Sequence, residues 1–408
     1  MLAEKPSPSR FFGLDIHKHY LVAIGVDPDG NQIYGPRKVN WTNLETWRNK
    51  TLTACDAVVI EMTTNTWQVY DDLRPYVHSV TVVHPPHVKS VTQAQVMTDR
   101  IAAFNLAKLL AKGLLVSIWI PPADVRDRRA LVAHRNKMTR LSTQAKNRLH
   151  AVLHRYHLLP SAGDLFAPGQ CAWWLALPVS PLEKVRIQSD LDTLAFAQAQ
   201  IANLEEALAA IAAQDDRLTL LVQLPGVGWL TAIVILAAIG DITRFPDPKH
   251  LVGYAGLGGR IHDSGQTSRS GGITKAGRRD LRAALVEAAQ TAANTHPHWQ
   301  AELARLEPRL GRNKAIVAIA RKLLIAVWHV LTEGCADCHA EPQRLARKLM
   351  QVTYQLGKNN RPAGQSSAAL VRAQLDRLEV GQDLKEIPWG NKKHPIPLPP
   401  SSLPPAAD

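Results

Sequence analysis

The sequence predicts an α/β domain followed by a mostly helical remainder, and two observations carry this fold class. Between residues 11 and 122, short apolar runs alternate with amphipathic segments, a pattern typical of a sheet covered by helices. From about residue 124 these short runs give way to long segments with helical periodicity. A chain of 408 residues is long enough for two or three domains with separate cores.

Five apolar runs predict the strands of the first domain, arranged as a mostly central sheet. Turn signals such as DPDG at 27–30 separate them. Helices are predicted in TWQVYDDLRPY and over about 98–112. The five predicted strands are FFGLDI, YLVAIGVD, AVVIEM (57–62), SVTVVHPP (79–86) and LLVSIWIPP (114–122).

Two long helices are predicted in the middle of the chain, over about 124–157 and 181–214. The second carries apolar residues spaced alternately by three and four positions, which form a narrow seam as in a coiled coil. The seam either packs within the chain or contacts another subunit. Its residues are Leu194, Ala197, Ile201, Leu204, Leu208 and Ile211.

Residues 218–335 predict a third region, in which a glycine-rich polar loop at 256–277 precedes helices at 278–294 and 312–332. The chain then becomes polar and proline-rich. Its last stretch, KHPIPLPPSSLPPAAD, has six prolines and little to bury, so its composition predicts disorder. We therefore predict domains at 9–123, 124–216, 217–335 and 336–408.

The charge balance favours a polyanionic partner. The chain has 48 Lys and Arg against 35 Asp and Glu, a net charge of +13, which indicates nucleic acid. The alternative is a basic enzyme without such a partner. No uninterrupted apolar run approaches the roughly 20 residues that span a bilayer, and MLAEKPSPSR does not read as a secretory signal. Four cysteines fit a reducing cytoplasm, and we interpret the haem-attachment pattern in CADCH (335–339) as a chance match.

The first long helix is the candidate surface for nucleic acid. Within 126–155 it has nine Arg or Lys and one acid, Asp127. A phosphate backbone would meet such a surface, although a solvated amphipathic face has the same composition. The candidate contacts on this helix are Arg126, Arg128, Arg129, Arg135, Lys137, Arg140, Lys146 and Arg148.

Three acids are candidate metal ligands. Asp15 and Glu61 lie in or at the end of apolar strands, where an unpaired charge is costly, and Asp99 lies in the first turn of a predicted helix. Carboxylates at strand ends favour Mg²⁺. A two-metal site usually needs about four carboxylates, and a fourth acid at position 102 would share a helix face with Asp99, but Ala102 stands there. The alternative is that these acids cap a turn and a helix.

A second candidate centre is YAGLGGRIHDSGQTSRSGGITKAGRRDLRAAL (254–285). It contains Ser264, Ser268 and Ser270 and six glycines between Tyr254 and Thr274. A serine there would attack phosphorus while cations offset the charge on the phosphoryl oxygens. The alternative is a phosphate-binding loop without covalent chemistry, and LPGVG (224–228) is a similarly weak phosphate-binding signal. The nearby cations are Arg260, Arg269, Lys275, Arg278, Arg279 and Arg282.

These motifs, in their order, resemble one family. GLDIHK, VIEMT and TDRIAAFNLAKLL resemble the Asp-Glu-Asp-Asp, RuvC-like (RNase H-like) domain of the IS-one-ten family of insertion-sequence transposases, also called bridge-RNA-guided recombinases. PGVG, IGDITRF, LVGYAGL, ITKAGRRDLRAAL and KAIVAIARKLL resemble that family's mostly α C-terminal transposase domain. The two regions cover roughly residues 11–155 and 218–332.

The resemblance implies an RNA-guided DNA recombinase of a mobile element. Ser264, before Gly265, matches the catalytic serine best, ahead of Ser268 and Ser270. Asp15, Glu61 and Asp99 would hold Mg²⁺, and Ala102 falls at the fourth acid. The implied partners are donor and target DNA, a structured bridge RNA and further copies of the chain in a dimer or tetramer, associated with the bacterial nucleoid.

The alanine at position 102 leaves two other functions as alternatives. Ala102 is either an engineered replacement of an aspartate or the mark of a degenerate natural copy, and in both cases activity of the chain as written is in question. One alternative function is a metal-dependent junction nuclease without a covalent intermediate. Another is a nucleic-acid-binding protein whose catalytic site has decayed.

Overall fold

The computed structural model of the protein describes residues 7–86, 88, 98–167, 169–264, 267–357, 360, 364–389 and 395–404, with the backbone alone at 261–263 and 267–270. The chain divides into two compact units, Met1–Pro121 and Pro122–Asp408. The first is built around a mixed sheet and the second is mostly helical, in agreement with the predicted fold class.

The first unit contains a five-stranded sheet in the order β3-β2-β1-β4-β5. The pairs β1–β2 and β2–β3 are antiparallel, whereas β1–β4 and β4–β5 are parallel. Among the described residues of this unit, three α-helices of eight or more residues accompany the sheet. The elements are β1 (Arg10–Ile16), β2 (Tyr20–Val26), β3 (Gln32–Asn40), α1 (Leu44–Thr51), β4 (Asp56–Glu61), α2 (Thr66–Leu73), β5 (Ser79–Val83) and α3 (Asp99–Ala111).

Two strand assignments differ from the sequence prediction. Strand β3 was not predicted because it is a mostly exposed edge strand, which needs no apolar run. The strand predicted at 114–122 was wrong: among the described residues this segment contributes one isolated bridge, between Ser117 and Val83. The apolar residues of this segment suggested a buried strand, but Val116 is 71% exposed.

Both faces of the first sheet are covered. Phe12, Leu14 and Ile60 face one core, while the other face packs beneath α3. Gly13 lies where α3 meets β1: a Cβ built there would stand 2.0 Å from the carbonyl oxygen of Ala103 and 2.6 Å from the amide nitrogen of Ala107. The absence of a side chain therefore lets the helix lie directly on the strand.

The second unit begins with a helical hairpin. Helix α4 (Ala123–Arg155) and helix α6 (Pro181–Ala213) pack against each other, with the short α5 (Cys171–Leu175) between them in sequence. Leu194, Ala197 and Leu208 are buried, so the predicted seam packs within the chain, the first of the two alternatives.

The rest of the second unit surrounds one large apolar core. The loop predicted at 256–277 contains a two-stranded antiparallel ribbon, β6–β7. The elements are α7 (Arg217–Val222), α8 (Trp229–Ile239), α9 (Pro248–Ala255), β6 (Gly259–Ser264), β7 (Thr267–Ile273), α10 (Arg279–Thr295), α11 (Pro297–Leu310), α12 (Arg312–Glu333), α13 (Pro342–Gln355), α14 (Ser367–Arg377), β8 (Glu386–Ile387) and β9 (Ile396–Pro397).

Helix α12 corrects the expectation about membrane spans. Among the described residues it is the one helix long and apolar enough to cross a membrane. Its apolar side chains, including Ile319, Leu323 and Val327, are buried in the core of the second unit. The core helix of a globular domain meets the same criteria of length and hydropathy as a membrane span.

The end of the chain is more ordered than its composition predicts. Strands β8 and β9 pair, Leu398 is buried, and the Arg372 side chain donates to the carbonyl oxygens of Pro399 and Gly381, each at 2.9 Å. A single buried guanidinium thus binds backbone carbonyls of two separate segments of the chain end. The expected disorder is therefore wrong for 395–404, and residues 405–408 lie outside the described part.

Candidate active site

Two candidate acids lie side by side at the C-terminal ends of two neighbouring inner strands of the first sheet. Strands β1 and β4 are parallel, and the register that pairs Leu14 with Ile60 places Asp15 beside Glu61 at the strand ends. Side chains alternate between the faces of a strand. Since Leu14 and Ile60 face the core opposite α3, Asp15 and Glu61 belong to the face that α3 covers.

Helix α3 brings Asp99 to the same strand ends. Asp99 is the first residue of the helix, and the Thr98 hydroxyl caps it by accepting a hydrogen bond from the amide of Ile101 at 3.3 Å. Because Gly13 lets α3 approach β1 closely, the start of the helix lies near Asp15. The structure therefore brings together two acids that are far apart in the sequence.

The closest group of ligand atoms is Asp15, His17 and Asp99. The His17 Nε2 atom lies 3.2 Å from an Oδ2 oxygen of each aspartate. The ligand atoms of these three residues all lie within 4.8 Å of one another. Glu61 shares the face and the strand ends, but its carboxylate is outside this group.

Sequence reasoning missed two participants, His17 and Tyr20. The Tyr20 hydroxyl donates a hydrogen bond to Asp99 Oδ2 at 3.0 Å, and its ring lies 4.7 Å from that of His17. The sequence offered one signal for them, because both residues belong to the segment DIHKHY, which begins with Asp15.

The electrostatics of the group favour a cation. Burial raises the pKa of Asp15, the nearby His17 opposes that shift, and the negative charge of Asp99 adds to it. The hydrogen bond to Asp99 raises the pKa of Tyr20. Two carboxylates held this close repel each other, and a divalent cation would offset that repulsion. Two carboxylate oxygens and an imidazole nitrogen are a donor set that fits such an ion.

Position 102 lies one turn beyond Asp99. The Ala102 amide donates to the carbonyl of Thr98 at 2.8 Å, so this part of α3 is regular. Residues i and i+3 share a helix face. An acid at 102 would thus stand beside Asp99, whereas the methyl group of Ala102 offers no ligand.

Ser264 is the last residue of β6, where its side chain is exposed. It pairs with Thr267 in the register of the ribbon. The side chains of Ser268, Arg269 and Ser270 lie outside the described residues. The Arg260 side chain donates to the carbonyl oxygen of Thr274 at 3.2 Å, so it is bound to the backbone that follows the ribbon.

The cations after the ribbon divide into two groups. Arg278 forms an ion pair with Asp280, and Arg282 donates to the carbonyl oxygen of Ala255 at 2.9 Å. Lys275 and Arg279 are exposed. Among the described cations that follow the ribbon, this exposed pair is accessible to a phosphate.

The cations of α4 divide in the same way. Four of them have partners within the second unit, and Lys146 lies 5.0 Å from the centre of the Phe166 ring. Lys137 and Arg140 are exposed and have no ion pair within the described part of the chain. The partnered contacts are Arg128 with Asp215, Arg129 with the carbonyl oxygens of Ala237 and Ala238, Arg135 with Glu205, and Arg148 with Asp190.

Arg129 illustrates what these internal contacts do. Its two hydrogen bonds, at 2.8 and 2.7 Å, satisfy carbonyl groups in the last turn of α8. Burial lowers its pKa. The guanidinium therefore joins α4 to the core of the second unit, and charge counting along the sequence does not reveal this role.

The LPGVG turn also has a packing role. Gly226 has a φ of +77°, and a Cβ there would stand 2.0 Å from the carbonyl oxygen of Ala288 on α10. Glycine is thus required both by the backbone conformation and by the close approach of another helix. This packing accounts for Gly226 without a phosphate.

Comparisons with known proteins match both candidate centres. A family model described as Transposase, for the Asp-Glu-Asp-Asp transposases of the IS110 group, matches residues 12–158. A second, described as Transposase IS116/IS110/IS902 family, matches residues 218–304. The first match contains Asp15, Glu61 and Asp99, and the second contains Ser264.

Individual proteins similar to this chain are named as transposases or as a gene-inverting protein. The chain is 26% identical to the transposase for insertion sequence element IS1111A of Coxiella burnetii, over 79% of this chain and 90% of that protein. It is 27% identical to putative transposase y4qE of Sinorhizobium fredii, over 72% and 73%. It is 36% identical to the pilin gene-inverting protein of Moraxella bovis over 29% of this chain and 38% of that protein.

Proposed function

The chain belongs to the IS110 family of transposases, and from this premise we propose that it cuts and rejoins the DNA of a mobile element through a serine-linked intermediate. It is a DNA transposase by family. The observation that carries the proposal is the meeting of Asp15, Asp99 and His17 at the edge of a sheet in a chain that also has an exposed Ser264.

The proposed chemistry is a transesterification. The Ser264 oxygen attacks a DNA phosphorus, the phosphorus–oxygen bond to one strand end breaks, and that end leaves as a hydroxyl after taking up a proton. The serine proton passes to a nearby base. One phosphodiester replaces another, so rejoining needs no external energy source.

The acids would act on this step by holding a metal ion. Asp15 and Asp99, with Glu61 on the neighbouring strand, would hold a divalent ion, for which we propose Mg²⁺. The ion would offset charge on the phosphoryl oxygens and activate the attack. The exposed Arg279 and Lys275 would add cationic contacts to the same phosphate.

The remaining family features are part of the proposal. The sheet order β3-β2-β1-β4-β5 is compatible with a RuvC-like (RNase H-like) domain. A structured bridge RNA would select donor and target DNA by base pairing, and Lys137 and Arg140 offer exposed contacts for its backbone. We propose a dimer or tetramer, in which the acids and the serine need not come from one subunit.

The test uses DNA carrying the element ends, RNA transcribed from beside the gene, and Mg²⁺. Because Ala102 lacks the fourth carboxylate, the Ala102→Asp variant is tested alongside the chain as written. We expect a covalent protein–DNA adduct that resists denaturing detergent in Ala102→Asp and disappears when Ser264→Ala is added. Ser268→Ala and Ser270→Ala in the same background serve as matched controls.

The outcomes separate the competing functions. Cleavage without an adduct would favour a junction nuclease that uses metal and water. If the adduct persists in Ser264→Ala but is lost in one of the two control variants, the nucleophile is Ser268 or Ser270 instead. Binding without any product from Ala102→Asp would favour a decayed nucleic-acid-binding protein.

A further inference from the structure

His17 occupies the space between the two aspartates of the candidate active site. Its Nε2 atom is equidistant, at 3.2 Å, from the nearest oxygens of Asp15 and Asp99. The His17 side chain is 34% exposed, so an ion or water can reach it.

The surroundings hold the His17 ring in place. The His17 amide donates to the carbonyl oxygen of Tyr20 at 2.8 Å, which closes the turn between β1 and β2. The rings of the two residues are 4.7 Å apart, and the Tyr20 hydroxyl also holds Asp99. One turn therefore orients both the imidazole and one of the carboxylates.

The His17 Nε2 contact with Asp15 is a hydrogen bond at 3.2 Å, and the two distances also fit shared coordination of one ion. A charge-assisted hydrogen bond between imidazolium and carboxylate is usually about 2.7–2.9 Å long, and one Nε2 hydrogen cannot point along two such bonds. Neighbouring ligand atoms around an octahedral ion with bonds of about 2.1 Å are about 3.0 Å apart, and around a tetrahedral ion about 3.4 Å. The separation of 3.2 Å lies between these values.

We propose that His17 Nε2 is a direct metal ligand that takes part of the role of the carboxylate missing at position 102. The donor set then becomes a mixed nitrogen and oxygen site. Mg²⁺ prefers oxygen ligands, whereas imidazole favours first-row transition ions. The site should therefore prefer a transition ion such as Mn²⁺ to Mg²⁺. This inference rests on the proposed function, since it concerns the same metal site.

A competing role for His17 gives the opposite result. If its imidazolium served only as a counter-ion for the two aspartates, removing it would leave a more negative site. Metal binding would then strengthen or stay unchanged. The direction of the change in affinity therefore distinguishes a ligand from a counter-ion.

The experiment measures Mn²⁺ and Mg²⁺ binding by titration calorimetry, and the nitrogen coupling of bound Mn²⁺ by pulsed electron paramagnetic resonance, on the full chain. We expect the wild type to show coupling to an imidazole nitrogen. His17→Ala should lose that coupling and about tenfold or more in Mn²⁺ affinity, with less than about threefold change for Mg²⁺. His19→Ala, at an exposed neighbour in the same turn, is the matched control.

Two further variants identify the binding site and replace His17→Ala if that variant does not fold. Asp15→Asn should abolish binding of both ions and so identify the site. His17→Gln keeps a polar side chain with a possible oxygen ligand; it should lose the nitrogen coupling even if His17→Ala does not fold. Retained coupling and affinity in either His17 variant would overturn the inference but leave the metal step of the proposed function intact. No metal binding by the wild type and by Ala102→Asp would overturn both.

Discussion

The acid group of the first unit and the serine ribbon of the second are built in different ways. Asp15 lies between the buried Leu14 and Ile16, and the helix that carries Asp99 packs backbone to backbone on the same strand. Ser264 instead is the exposed last residue of a strand that pairs with one partner strand. Buried sheet and helix fix the acids, whereas the serine depends on a two-stranded ribbon.

This difference indicates how each centre reaches its working geometry. A close-packed core holds side chains in place before any ligand binds. A two-stranded ribbon alone is marginally stable in water. We therefore expect the metal site to be formed in the free protein, and the serine to be positioned when the ribbon contacts DNA, RNA or another subunit.

The largest expected effect comes from removing the close approach of α3 to β1. In Gly13→Ala the new methyl group would meet the backbone of Ala103 and Ala107, which cannot rotate away as a side chain can. We expect a loss of about 3 kcal/mol or more in the free energy of unfolding and weaker Mn²⁺ binding, measured by chemical denaturation and calorimetry.

The control for this prediction is Gly253→Ala in α9, where a Cβ would meet nothing within 4 Å. It should stabilise the chain by up to about 1 kcal/mol, because alanine is the better helix former. Unchanged stability and metal binding in Gly13→Ala would contradict the view that this contact fixes the acids.

The next prediction concerns a variant that adds a carboxylate to the acid group. In Ala102→Asp the new carboxylate shares a helix face with Asp99, so we expect metal affinity to rise about tenfold or more, a gain of about 1.4 kcal/mol. Thermal unfolding with and without Mg²⁺ provides a second measurement. Ile101→Asp adds the same charge at an exposed neighbouring position of α3, and an equal gain there would show that charge alone is responsible.

A third prediction concerns Lys348, a half-buried residue of α13 in the second unit. Burial lowers the pKa of Lys348 to about 7, and its Nζ donates to the carbonyl oxygen of Leu224 at 2.5 Å. Between pH 7 and its ordinary pKa of 10.5, the unfolded chain holds this proton and the folded chain releases it. Stability should therefore rise with pH across this window and level off below it.

Lys348→Met should remove this contribution to the slope, as denaturation at several pH values will show. Lys314→Met, at an exposed position of α12, should leave it unchanged. An unaltered slope in Lys348→Met would assign the pH dependence to other groups.

The smallest expected effect separates the two classes of cation on α4. Arg140 and Arg148 are both exposed, but the Arg148 Nε atom lies 2.6 Å from Asp190 on α6, whereas Arg140 has no ion pair among the described residues. We expect Arg140→Ala to weaken RNA binding a few-fold and to lower the salt slope by about one. Arg148→Ala should instead cost less than about 1 kcal/mol of stability.

Binding of RNA transcribed from beside the gene, measured at several salt concentrations, tests this pair. If Arg148→Ala changes the salt slope as much as Arg140→Ala does, internal pairing does not decide which cations meet the RNA.

Apolar periodicity predicted much of the fold, because it reports which residues must leave water. It identified β1, β2, β4 and β5, helix α3 and both helices of the hairpin. It missed β3, an edge strand with polar residues, and predicted a strand at 114–122, where Leu114 and Val116 stay exposed. It also missed the packed end of the chain, where the Arg372 guanidinium, rather than an apolar run, organises the backbone.

The sequence by itself determined most of the helices and strands in their order, the positions of three acids at strand ends and a helix start, and the family. Only the tertiary structure decided that His17 stands between Asp15 and Asp99, and which cations of α4 are bound internally. The physical reason is that residue type and spacing specify what a side chain can do. The partner it meets depends on strand register and helix packing, which bring together residues far apart in the chain.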